Sequence, residues 1–164
     1  MLTSKATARI EIHRMKSALD ATYDRYKRSL REVPLDVQQD LHLYICIRLS
    51  GYLEQLIYNA VCAYVSDASG GAAREFALSW FKNAPNLSPG ALEALIERFG
   101  QDWLQDLKDF LDKENNRSSL GTLIKIRNDT AHGKSYAGSL ANVSSYKKLI
   151  DDIHSWVHSR MIDA

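Results

Sequence analysis

Two cysteines, three prolines and eight glycines are all that 164 residues carry of those types. So few cysteines exclude a disulfide scaffold, and no Cys/His cluster has the spacing of a zinc site. Cys46 and Cys62 lie in one apolar segment. On one helix they would stand about 24 Å apart, too far to bridge within the chain, so both read as small buried hydrophobes. No apolar run approaches the roughly 18 residues of a membrane span. The opening MLTSKATARIEIHRMK lacks the apolar core of a signal peptide, so a cytoplasmic location is expected. Excess charge of one sign is missing too. The formal net charge is +1, and no basic stripe stands out, which argues against general electrostatic binding of nucleic acid. It leaves room for an enzyme that handles a phosphodiester at one small site.

What the chain does have is helical periodicity. Apolar residues are 45 % and charged residues 25 %, ordinary values for a globular chain long enough for one domain with a real core. Ile12, Met15, Leu19, Tyr23, Tyr26 and Leu30 recur every three or four residues and predict a helix over 4–31. Val33-Pro34 breaks it. A second long helix, 36–66, is apolar nearly all round and is expected to be central. Shorter helices are expected at 72–83, 89–99 and 101–113, the second opened by Ser88 as N-cap with Pro89 at the first helical position. Helices over 118–132 and 141–162 complete the chain, the former closed by Gly133 as a left-handed cap. The expected fold class is all-α: an antiparallel helical bundle with two long N-terminal helices, an insertion of shorter ones over about 67–117, and two C-terminal helices, in a single domain 1–164.

Three charged residues break this pattern. Leu120, Leu123, Ile124 and Arg127 form an i, i+3, i+4, i+7 stripe that Ala131 continues. A guanidinium cannot shed its charge, so on an inward stripe it must be paired, hydrogen-bonded or open to a polar cleft. His132 ends the same helix, where a histidine also suits the dipole. Five residues turn a helix by 500°, so the two side chains point about 140° apart. One copy does not easily focus both on one atom, whereas two copies meeting across a two-fold axis would bring two Arg and two His into one cleft. Arg48 and Glu54 sit in the otherwise apolar 36–66 segment and read as a supporting network, Glu54 with Arg127 or Arg48. Gly51 costs helix stability and is expected to permit close helix approach.

The stretches RLSGYLEQL (48–56) and LIKIRNDTAHG (123–133) resemble the HEPN superfamily, the higher eukaryotes and prokaryotes nucleotide-binding domains. The form RNDTAHG is similar to groups linked to defence, toxin–antitoxin and RNA processing, such as the RiboL-PSP-associated type. The superfamily signature is R-x4-6-H, here Arg127 and His132, with Asn128 as polar companion. The resemblance implies a metal-independent endoribonuclease without cofactor, acting as a homodimer. Such an enzyme would cleave RNA by attack of the 2′-hydroxyl, with a 2′,3′-cyclic phosphate and a 5′-hydroxyl as the expected products. Histidine moves protons near neutral pH, and arginine's forked cation fits phosphate oxygens. Asn128 would position phosphate or hold Arg127, and Lys134, Ser135 and Tyr136 are candidate RNA contacts. The alternative is a non-catalytic HEPN module that dimerises, or binds a nucleotide, and pairs with a nucleotidyltransferase or antitoxin. A helical scaffold unrelated to HEPN would instead be a monomer with Arg127 paired internally.

Overall fold

The structure is a computed structural model and describes residues 4–164. It is all-α, with no strand among the described residues. The order is α1 (Lys5–Ser29), a 3-10 turn (Leu30–Glu32), α2 (Leu35–Ala68), α3 (Gly71–Ser79), α4 (Pro89–Glu97), α5 (Gln101–Leu111), α6 (Asn116–Ala131), α7 (Leu140–Val157) and a π-helical turn (His158–Ile162). None of these helices is long and apolar enough to cross a membrane.

The sequence sets the boundaries through local chemistry. Ser4 caps α1 by accepting from the Thr7 amide, and Ser88 caps α4 by accepting from the Ala91 amide ahead of Pro89. The helices group into two compact units. One comprises Met1–Glu32, Gly51–Pro85 and Ile150–Ala164; the other comprises Val33–Ser50 and Asn86–Leu149. In the first, Ile12, Leu19 and Tyr26 of α1 are buried, as are Leu53, Leu56 and Ile57 of α2 and Ile153 and Val157 of α7. In the second, Leu92 and Ile96 of α4, Leu104, Leu107 and Leu111 of α5, and Leu120, Leu123 and Ile124 of α6 are buried. Here α4, α5 and α6 pack pairwise against one another.

Several expectations change. The N-terminal half of α2 is not buried all round: Tyr44 and Ile47 are exposed, because apolar composition does not reveal which stripe finds a covering element. Gly51 is no close-approach site, since a Cβ there would meet nothing within 4 Å. Cys46 is buried, but Cys62 is only half-buried, and both are free thiols. Burial pushes the Cys46 thiol up to about 11.

Candidate functional site

The RNDTAHG stretch forms the last turn and cap of α6. Leu120, Leu123, Ile124 and Ile126 supply the buried face of that helix. At ~100° per residue, Arg127 projects into the middle of this apolar arc. It is nevertheless only half-buried, and Ala131, on the same side one turn later, is exposed. The stripe therefore does not continue to Ala131, because the covering structure ends with the last turn. That resolves the misplaced charge: Arg127 stands where the core gives way to water.

Asn128 holds the guanidinium. Arg127 Nη1 donates to Asn128 Oδ1 at 3.2 Å, and Asn86 Nδ2 donates to the same oxygen at 3.4 Å. Asn86 went unmarked in the sequence, because nothing distinguishes it from other loop asparagines in NAPNLSPG. It gives part of the 67–117 insertion a role. So does Arg117, which ties the start of α6 to Glu93 of α4 at 2.6 Å and to Asp112 after α5 at 2.9 Å.

His132 is exposed and terminates the helix. Gly133 follows at φ 75°, the left-handed cap expected of it. The Gly133 amide donates to Thr130 O at 3.0 Å and the Lys134 amide to Asp129 O at 2.9 Å. These two bonds are those of a Schellman motif, and they fix the backbone that carries His132. Asp129 is paired with Lys125 and with Lys134, the latter at 3.1 Å. Hydrogen bonds from Lys125 first and Lys134 second hold its carboxyl below the usual range.

The loop beyond is pinned at its far end. The Gly138 amide donates to Gln39 Oε1 at 2.8 Å, and Gln39 Nε2 donates to Gly138 O at 3.0 Å. Tyr136 packs over Gly138 so closely that a Cβ there would collide with its ring. Its hydroxyl is buried beside Cys46 and Tyr146, and burial pushes its pKa upward. Of the three expected RNA contacts, Ser135 is exposed, Lys134 lies against Asp129, and Tyr136 turns its hydroxyl away from solvent.

The remaining candidates sit elsewhere. Arg48 is exposed rather than in a buried network, donating to Tyr44 Oη at 3.0 Å with its guanidinium over the Tyr44 ring. Glu54 is half-buried in the first unit, whereas Arg48, Asn128, Arg127 and His132 belong to the second. Among the described residues, no group of three or more His, Cys, Asp or Glu converges as metal ligands would.

The arrangement offers a permanent cation and an exposed imidazole at one helix end, which ideal helix geometry sets about 140° apart around the axis. Neither the curated proteins nor the solved structures compared with this chain contain a match. The RiboL-PSP-HEPN family profile matches residues 12–159, which spans the α6 signature and six of the seven helices in full. The chain thus belongs to the RiboL-PSP-HEPN family.

Proposed function

We propose that the chain is a metal-independent endoribonuclease acting as a homodimer, with Arg127 and His132 as its catalytic pair. The observation that carries this reading is the end of α6. A half-buried Arg127 steadied by Asn128 and an exposed His132 held by a Schellman turn stand on one short segment. Family membership supports it, HEPN domains being commonly ribonucleases or nucleotide-binding modules.

The chemistry follows from RNA itself. One His132 accepts the proton of the 2′-hydroxyl, and the 2′ oxygen bonds to phosphorus. The bond from phosphorus to the 5′ oxygen breaks, and that oxygen takes a proton from solvent water as the imidazolium releases its own, so each site needs one His132 and the Arg127 of the other copy. Arg127 binds the phosphoryl oxygens as charge builds on them. Asn128 aligns the guanidinium and acts as a positioning residue. The two-fold axis is needed because Arg127 and His132 point apart within one chain. A toxin or defence effector is the biological role that fits such a nuclease.

The test is cleavage of single-stranded RNA with EDTA present, comparing the native chain, Arg127→Ala and His132→Ala. Each substitution is expected to lower kcat by at least ~100-fold, the usual weight of a proton-transfer group or charge-stabilising donor. Equal turnover by all three proteins overturns the assignment.

A second reading is a non-catalytic HEPN module that engages an antitoxin or nucleotidyltransferase, and α3 favours it. That helix buries none of its residues, and Phe76 on it and Trp80 at its C-terminal cap are 68 % and 69 % exposed. It expects a specific partner or nucleotide to bind with no RNA turnover.

A further inference from the structure

The end of α1 reads differently in the fold than in the bulk charge. Between Asp24 and Glu32 the chain places Arg25, Lys27, Arg28 and Arg31 with no carboxylate among them. Four cations within seven residues leave the remainder of a +1 chain net negative. All four are exposed. With Ala21 and Asp24 they line a shallow open concavity on the surface of the first unit. A basic patch is therefore present, although net charge hid it.

The four are not equivalent. Lys27 is engaged locally, paired with Asp24 at 3.3 Å and lying over the Tyr23 ring. Arg25 donates from Nη2 to the neutral Thr22 Oγ1 at 3.0 Å, and among the described residues it has no ion pair. Among the described residues Arg28 and Arg31 have no ion pair. At ~100° per residue, Arg25, Arg28 and Arg31 fall within about 120° of one another, stepping along the helix axis over roughly 10 Å. The helix dipole favours cations in the last turn and so accounts for Lys27 and Arg28. It does not account for Arg25, a turn earlier, or for Arg31, beyond the α-helical segment.

We propose that Arg25, Arg28 and Arg31 form a ridge that binds the phosphate backbone of single-stranded RNA. Three forked cations in a row suit a repeating anion rather than a single phosphate. Their reach matches about three nucleotides of a stacked strand at ~3.4 Å each. The ridge carries no aromatic platform, so it grips the backbone without reading sequence. The proposal rests on the RNA-handling reading above for the identity of the anion. It adds a binding surface that the α6 signature does not contain.

The experiment is fluorescence anisotropy with a labelled 20-nucleotide RNA of mixed sequence, over a range of salt. Binding is read in the full chain carrying His132→Ala, so turnover does not interfere. It is then read with Arg25→Ala, Arg28→Ala and Arg31→Ala added, and with the three arginines changed to lysine. Helical content and Tm of each protein verify the fold.

The alanine triple is expected to weaken binding at least ~10-fold and to flatten the plot of log Kd against log salt by about 2, three phosphate contacts at ~0.7 each. The lysine triple should keep most of that slope. Unchanged affinity and slope in the alanine triple overturn the ridge, as does a parent protein that binds no RNA. Equal displacement by poly-glutamate at matched charge overturns the assignment to RNA. A native chain that binds through the ridge yet cuts no RNA separates failure of the nuclease reading from failure of this one.

Discussion

His154 and Tyr52 illustrate how single residues in this chain set its response to pH. Tyr52 Oη lies 2.7 Å from His154 Nδ1 in the first unit. Burial raises the tyrosine pKa, with Asp20 and Asp151 adding to it, so the phenol keeps its proton and donates. Burial lowers the histidine pKa, reinforced by Lys16 and His158 and opposed by Asp151 and Asp20, so the ring stays neutral and accepts. A protonated ring has no acceptor left at Nδ1. Because the folded pKa lies below the unfolded 6.5, stability from this group is complete above about 6.5 and is lost as pH falls through the lower folded value. Thermal unfolding between pH 7.5 and 5.5 should therefore show a steeper loss of Tm in the native chain than in His154→Asn. Parallel curves would contradict the assignment. No pattern in the sequence marks this pair, 102 residues apart. Arg127 is the opposite case, since a charge on an apolar stripe declares itself by periodicity. What periodicity left out was Asn86, whose contact with Asn128 spans 42 residues and depends on how a loop folds back.

At the scale of elements, two glycines on different helices should respond with opposite sign. Gly51 lies inside α2 with open space where a Cβ would go, so Gly51→Ala should stabilise by about 0.5–1 kcal/mol, or roughly 1–4 °C in Tm. Gly133 sits at φ 75° and closes α6, so Gly133→Ala should cost about 1–2 kcal/mol and lower Tm by several degrees. Calorimetry reads both, and equal shifts would refute the local reasoning. These two positions also explain what was legible. A glycine after a run of helix formers, next to a histidine, announces a C-cap from sequence. A glycine in mid-helix does not say whether a neighbour crowds it, because that depends on packing from other elements. The same limit applies to α2 as a whole. Its apolar content signalled a buried helix, but the exposed Tyr44, Ile47 and Arg48 face depends on which elements cover it. The ridge on α1 was missed for a related reason: a bulk charge near zero averages a cationic helix end with the acidic residues elsewhere.

For the whole molecule, helix count, order and class follow from the 3.6-residue period and from the breaks at Pro34, Pro89 and Gly100. The grouping of those helices into two compact units does not, because contacts between distant segments set it. The central claim is likewise a statement about assembly. Arg127 and His132 diverge within one chain, and the proposed chemistry needs them to converge across a two-fold axis. The most direct measurement mixes the two inactive variants. Arg127→Ala and His132→Ala chains carrying different tags are co-expressed, the mixed dimers are verified by native mass, and RNA cleavage is measured with EDTA present. Random pairing makes about half the dimers mixed, and each mixed dimer holds one intact Arg–His pair contributed by two copies, so activity should return to about a quarter of the native value. Mixed dimers as inactive as either variant alone, or a chain that stays monomeric at micromolar concentration while cutting RNA, would contradict it.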